Sequence, residues 1–391
     1  YHIGCDETFE LGRGHSQALV AQEGYGKVYV DNLARVSKLV ESYNKQVMFW
    51  GDIATEHPEM ISSLPRNLIV ASWEYFPHPN YDKWLDPFVK AGLKIFVCPW
   101  VGNTDLIMPD CERAAANINT FIWNGKKKGA IGTIVTVWND DGETLYGLNW
   151  WSIVYGAACS WELGQTSVKD FNQKYDWDFY QNTDHRFADA IERLSHVNEV
   201  ISARGLGQVY GQDYGGTNNQ LFWHNPFAST GQADVTKALP VAPEVRRLAE
   251  DAYNVFANST SRARRNADTL EYLEFAALKL DALGMRYELM QEIAKRYAER
   301  DLSDISSTDG RLQDLRDYTT RLTDMYRTLW LNENLPTWLP NILQLYQRNS
   351  DLWQAKIQQF DEIRSNHRTG KSELPSADSL GLMPAGATAK K

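Results

Sequence analysis

Short apolar runs that end on or near tryptophan, separated by amphipathic stretches, limit more than any other feature how this chain can fold. Val47-Met48-Phe49-Trp50 and Leu68-Ile69-Val70-Ala71-Ser72-Trp73 are two such runs, and residues 93–98 and 131–138 supply two more. Continuous apolar runs of this length suit parallel strands covered on both faces, because a strand with one wet face alternates instead. Between them, Tyr29, Leu33, Val36, Val40 and Tyr43 recur at helical steps and mark one face of a helix. Residues 114–123 and 150–161 read as two further helices, and Gly92 and Gly129 stand where helix C-caps precede strands. With the opening run Tyr1-His2-Ile3-Gly4-Cys5-Asp6-Glu7, the pattern gives about five strand–helix units, hence an α/β fold with a parallel sheet and right-handed crossovers. Such units fit an open doubly wound sheet or part of an eight-stranded barrel. Gly12-Arg13-Gly14 and Gly24-Tyr25-Gly26 lack the spacing of a dinucleotide-binding turn and read as loop glycines.

The pattern changes after about residue 165. Residues 165–242 read as a loop-rich and helical connection containing Gly205, Gly207, Gly211, Gly215 and Gly216. Residues 243–364 read as a helical bundle with three long helices, near 268–300, 309–331 and 336–363. Leu270, Leu273, Ala277, Leu280, Leu283 and Leu289 supply much of an apolar stripe in the first of these, fit to brace the first domain, to form a homo-oligomer or to bind a partner. Residues 365–391, rich in Gly, Pro, Ala and Ser, read as a disordered tail.

Charge and composition exclude several functions. A net charge of −10 argues against a nucleic-acid or anionic-membrane surface, and Lys126-Lys127-Lys128 reads as a solvated helix end. No apolar run reaches transmembrane length, so membrane insertion is not expected. The cysteines Cys5, Cys98, Cys111 and Cys159 have no metal spacing and read as buried free thiols. Asp140, Asp141 and Glu143 lack a calcium-loop frame, so neither a metal nor another cofactor is expected. Asn258-Ser259-Thr260 fits a glycosylation acceptor, a triplet that also arises by chance. No signal peptide is legible, which leaves the compartment open.

Each later strand finishes on or just before a Trp with a polar or charged residue close behind. The pairs are Trp50 with Asp52, Trp73 with Glu74, Trp100 with Asn103 or Asp105, and Trp138 with Asp140. Four such ends in register would ring one mouth of the sheet with aromatic walls and carboxylates. That combination suits a neutral polyol, whose C–H faces stack on indole while its hydroxyls donate to carboxylates. Asp6 and Glu7 serve one site only if the chain leaves the strand there, since consecutive strand residues face opposite ways. His2 is placed to orient a carboxylate or to pack in the core.

His2-Ile3-Gly4-Cys5-Asp6-Glu7 resembles the H-x-G-x-D-E signature of glycoside hydrolase family 20, the β-N-acetylhexosaminidases, and Thr136-Val137-Trp138-Asn139-Asp140-Asp141-Gly142 is similar to that family's final-strand segment. The resemblance covers about residues 1–162. It implies that residues 1–164 are the C-terminal part of a TIM (β/α)8 barrel without its first strands, followed by the helical region. It implies a glycosidase that removes terminal β-linked N-acetylhexosamine from a glycan by substrate-assisted retention, an exception to the two-carboxylate rule. Glu7 would be general acid and then base, and Asp6 would orient the substrate's 2-acetamido group. Trp138 would floor the sugar pocket, Asp140 would hold outer hydroxyls, and Trp50 and Trp73 would line the acetamido side. The strand-seven Tyr common in the family has no counterpart in Cys98-Pro99-Trp100-Val101-Gly102-Asn103, so Asn103 or Tyr75 is the candidate to replace it. The alternative is a non-catalytic carbohydrate-binding or interaction protein on a similar scaffold.

Overall fold

The computed structural model describes residues 1–206, 208–209, 212–213, 219–257, 259–302 and 310–382. Gly207, Gly211, Gly215, Gly216 and the glycosylation triplet's Asn258 lie outside the described residues. The strands are β1 (Met48–Trp50), β2 (Ile69–Trp73), β3 (Lys94–Cys98) and β4 (Gly132–Thr133), with a two-residue pair β5 (Gln208–Val209) and β6 (Gln212–Asp213) further on. The helices are α1 (Gln17–Glu23), α2 (Tyr25–Glu41), α3 (Asp52–Glu56), α4 (Asp82–Lys90), α5 (Cys111–Lys127), α6 (Trp150–Trp161), α7 (Val168–Tyr180), α8 (Phe187–Ser195), α9 (Val197–Ser202), α10 (Asn219–Trp223), α11 (Ser229–Ala238), α12 (Ala242–Phe256), α13 (Thr269–Ala298), α14 (Arg311–Glu333) and α15 (Leu339–Arg368). No helix among the described residues is long and apolar enough to cross a membrane.

The chain divides into two compact units that interleave along the sequence. The first comprises Tyr1–Gly102, Arg113–Val137 and Ser152–Phe171; the second comprises Asn103–Glu112, Trp138–Trp151 and Asn172–Lys391. The sequence predicts contiguous blocks with boundaries near 164, 242 and 364. Instead the strand-end loops at 103–112 and 138–151 belong with the helices, because their polar groups are bonded there. Helix α15 also continues to Arg368, beyond the predicted start of the tail at residue 365.

In the first unit β1, β2, β3 and β4 form a parallel sheet in that order. The opening residues add to its edge through single contacts. His2 bridges Met48, Ile3 N–H donates to Met48 O at 2.8 Å, and Trp50 N–H donates to Gly4 O at 3.0 Å. The predicted strand at 131–138 is much shorter. Only Gly132–Thr133 is strand, with one further bridge between Trp100 and Thr136. Gly132 is required there, since a Cβ would lie 2.2 Å from the Phe96 ring.

Pairing of Trp50 with Ala71, Ala71 with Phe96, and Trp73 with Cys98 sets which side chains share a face. His2, Trp50, Trp73 and Phe96 lie on one side, where they are half-buried. Phe49, Val70, Ile95 and Val97 alternate to the other side and are fully buried. The tryptophans are not level: Trp73 pairs with Cys98, so Trp100 stands two residues farther along its strand. A stagger of constant sense is what tilted parallel strands produce.

The predicted face of α2 is partly displaced. Tyr29, Val30, Leu33 and Ser37 are buried, whereas Tyr43 lies past the helix end and is exposed. Gly92 and Gly129 have φ of 74° and 80°, the left-handed values a helix C-cap needs. In the second unit α13 is enclosed on nearly all sides. The whole predicted stripe is buried, as are residues between its members, including Phe275, Ala276 and Met285. A helix buried on most of its circumference belongs at a centre rather than at an exposed interface. Of its buried charges, Asp281 accepts from Arg246 at 2.8 Å, and Arg286 donates to the neutral Phe222 and His224 carbonyls.

Asn117, buried on α5, joins two strand ends of the first unit. Its Nδ2 lies within 3.1 Å of Glu74 O, Phe76 O and Tyr81 Oη, and its Oδ1 accepts from Trp100 N–H at 3.2 Å. Truncation orphans several buried groups at about 1–3 kcal/mol each. Asn117→Ala is therefore expected to lower the unfolding free energy by about 3 kcal/mol in urea denaturation. A loss below about 1 kcal/mol would show that these groups find other partners.

Candidate functional site

The Asp6–Glu7 turn is tightly specified. Gly4, Cys5 and Glu7 have φ of 70°, 77° and 46°, so the chain leaves the sheet edge through three left-handed residues. Two of these are not glycine, at a cost of about 1–2 kcal/mol each. Hydrogen bonds hold the turn: Tyr29 Oη donates to Cys5 O at 2.8 Å, and Glu7 N–H donates to Asp52 Oδ2 at 2.9 Å. Cys5 occupies the unspecified position before Asp in the H-x-G-x-D-E signature, and its positive φ is one that glycine adopts without strain. Asp6 is half-buried and Glu7 exposed.

His2 and Asp52 flank this turn. Gly4 N–H donates to His2 Nδ1 at 3.0 Å, which assigns the ring proton to Nε2. Burial lowers the His2 pKa, against the opposing pull of Asp6, so the ring is neutral at neutral pH. Its ring lies 4.6 Å from that of Trp50. Asp52 begins α3, and burial raises its pKa against the backbone N–H groups it accepts from. His2 Nε2 and Asp52 Oδ1 are buried with no hydrogen-bond partner among the described residues. Such orphaned polar atoms are rare in folded proteins and call for an explanation.

The other predicted walls of the first unit divide. Tyr75 stacks on Trp73 at 4.8 Å, and both are half-buried. Trp100 is buried, with its ring 5.9 Å from Tyr75, and so supports Tyr75 rather than forming an open wall. Glu74 turns back to accept from Tyr75 and Phe76 N–H at 2.9 Å each. Asn117 is the residue that sequence reasoning passes over. Its signal was a polar side chain among Ala114, Ile118 and Phe121 on the apolar face of a helix.

In the second unit, Asn103 is fully buried and committed to the backbone around Trp138. It donates to Trp138 O at 2.8 Å and Asn139 Oδ1 at 2.7 Å, and accepts from Trp138 N–H at 3.3 Å. That engagement removes it as the replacement for the strand-seven Tyr. Asp141 Oδ1 accepts from Glu143 and Thr144 N–H at 2.9 and 3.0 Å. Glu143 is buried and pairs with Lys279 Nζ at 2.5 Å. Trp223 Nε1–H donates to its second oxygen at 2.8 Å, and Tyr326 Oη to its carbonyl at 2.9 Å. Lys279 lies over the Phe222 and Trp223 rings at 5.0 and 4.9 Å. Downstream, Glu333 accepts from Tyr146 and Gly147 N–H. These bonds hold the 138–147 loop while Asn139 and Asp140 stay exposed and Trp138 half-buried.

Neither Asp141 nor Glu143 presents a bare carboxylate, which disfavours a metal at Asp140, Asp141 and Glu143. Elsewhere in this unit, the exposed Glu112, His196 and Glu199 bring one ligand atom each within 4.8 Å of one another.

No family model matches the chain, and no curated protein matches it. Among solved structures, a GH138 enzyme targeting pectin rhamnogalacturonan II aligns with a TM-score of 0.41 and 12% identity, over 81% of this chain and 56% of that chain. The chain thus spans little more than half the length of that enzyme. A likeness at this level assigns neither fold nor chemistry, and none of these comparisons supports the family-20 resemblance.

Burial pushes the Asp105 carboxyl up to about 6, and the charges of Asp141, Asp140 and Glu143 add to the rise. Because this pKa lies above the ordinary 3.8, the folded state binds the proton more tightly than the unfolded state. The resulting stability is fully present below 3.8 and is lost as pH rises through about 6. Asp105→Asn is expected to melt higher than the parent at about pH 7 and level with it below about pH 4 in calorimetry. An equal difference at both pH values would contradict this assignment.

Proposed function

We propose that the chain is the catalytic part of a glycosidase that releases terminal β-linked N-acetylhexosamine, with the first unit as the C-terminal portion of a (β/α)8 barrel. The observation that carries the reading is the pinned Asp6–Glu7 turn, beside which His2 Nε2–H and Asp52 Oδ1 stand buried without partners among the described residues. A strained turn persists where its surroundings over-determine it, and such turns gather at functional sites. The half-open face carrying Trp50, Trp73 and Tyr75 suits a sugar ring and an acetamido methyl group.

In this mechanism Glu7 protonates the leaving oxygen while the substrate's acetamido oxygen attacks the anomeric carbon. The C–O bond to the leaving group breaks as the new one forms. Asp6 accepts the acetamido N–H and balances the positive charge of the cyclic intermediate. Glu7, now a carboxylate, takes a proton from the water that opens it. Neither acid is the nucleophile, so both can sit on one short turn. Asp52 holds the Glu7 backbone, and Tyr75 is the remaining candidate to bond the acetamido oxygen. In the second unit, Trp138 and Asp140 are proposed as sugar-binding residues on their exposure and chemistry.

In the full-length protein, Glu7→Gln is expected to lower kcat on an aryl β-N-acetylglucosaminide by about a thousandfold, within the range for general acid–base catalysis. Asp6→Asn should impair mainly 2-acetamido substrates. Equal cleavage of plain β-glucosides by the unaltered protein would rule out acetamido assistance. Sugar binding without turnover at any pH would favour the carbohydrate-binding alternative.

A further inference from the structure

A tryptophan assigned no role above stands beside the Asp140 loop within the second unit. Trp338 is the N-cap residue of α15, and its carbonyl accepts from Asn341 N–H at 3.0 Å. The turn before it is fixed by Trp330 Nε1–H donating to Leu335 O at 2.8 Å. Gly142 lies against the pyrrole nitrogen of the indole: a Cβ there would come within 2.8 Å of Trp338 Nε1. Gly142 also has φ of 64° and donates to Asn139 O at 3.0 Å, closing a tight turn around Asp140 and Asp141. Despite this close seat, Trp338 is 50% exposed.

We propose that Trp338 is an aromatic platform for a sugar ring, forming with Asp140 and Asn139 a saccharide-binding surface on the second unit. The ligand class is a neutral β-linked N-acetylhexosamine oligosaccharide, a choice that rests on the functional reading above. An indole held at a helix start keeps a fixed plane, which a pyranose C–H face needs for stacking. The exposed Asp140 carboxylate accepts from hydroxyls, and the Asn139 Nδ2 donates to them while its Oδ1 accepts from Asn103. Burial first and the neighbouring Asp141 second raise the Asp140 pKa, and the Asp141 carboxylate adds negative charge beside it. An anionic sugar would be repelled there, whereas a neutral one replaces water at hydroxyl-accepting oxygens. The Lys279–Glu143 pair and the Glu333 bonds fix the loop before any ligand arrives, so little ordering is lost on binding.

The test is calorimetric titration of the full-length protein carrying Glu7→Gln, which prevents turnover, with N-acetylglucosamine and its β-1,4-linked dimer and trimer. Trp338→Leu, which keeps bulk but loses the π-face, should weaken trimer binding fivefold or more. Trp338→Phe should stay within threefold of the parent, and the melting temperature should be unchanged in both. Trimer affinity within twofold of the parent in Trp338→Leu would overturn the proposal while leaving hydrolysis of the aryl glycoside, and with it the functional reading, intact. If the unaltered protein neither cleaves the aryl glycoside nor binds any of the three sugars, the functional reading and the platform both fall.

Discussion

Parallel backbone pairing is the constraint on which the first unit depends. Once Met48 pairs with Ile69 and Ile69 with Lys94, the pleat decides every facing residue. Phe49, Val70, Ile95 and Val97 go to the fully covered side. His2, Trp50 and Trp73 go to the half-open side, at the end where the strands stop. Slipping β1 by one residue would bury Trp50 under the helices and turn Phe49 to the open face. The Asp6–Glu7 turn follows from the same pairing, because Trp50 N–H fixes Gly4 and Asp52 fixes Glu7. The acids are thereby held by the sheet edge and by the Asp52 and Tyr29 side chains rather than by a loop's own preference.

Polar commitments organise the second unit in a different way. A buried Lys–Glu pair seldom stabilises more than apolar residues of the same shape would, because both charges are stripped of water. What the Lys279–Glu143 pair supplies is position. One carboxylate meets an ammonium, an indole N–H and an aromatic box that only one arrangement of the 138–147 loop satisfies. Asp141 and Glu333 then close the remaining N–H groups of that loop. The carboxylates of this stretch therefore divide by role. Asp141, Glu143 and Glu333 build the loop, and Asp140 is left outward.

Much of this was legible from residue pattern. The β/α alternation, the helix ends at Gly92 and Gly129, and the long helices α13, α14 and α15 follow from periodicity and glycine placement. The pattern overstated strand length at 131–138, since apolar content says nothing of where ladder bonds stop. It also gives every strand-end polar residue the same standing. Asp52, Glu74 and Asn103 turned inward to bond backbone, and only three-dimensional proximity separates a capping carboxylate from an open one. Lys279 and Asn117 were missed because their partners lie far away in sequence: Glu143 is 136 residues from Lys279, and Glu74 is 43 from Asn117. The interleaved units follow from the same long-range bonds, which no linker-like composition marks.

The central claim is that Asp6 and Glu7 act on a sugar whose own acetamido oxygen is the nucleophile. Its most direct test is kcat/KM for aryl β-glycosides whose N-acetyl methyl group carries none, one, two or three fluorines. Each fluorine weakens the carbonyl oxygen as a nucleophile with little change in size. The account predicts a steep, monotonic fall across the series in the full-length protein. A flat series would contradict it, because an enzymic nucleophile or an activated water would not feel the acyl group's electron demand.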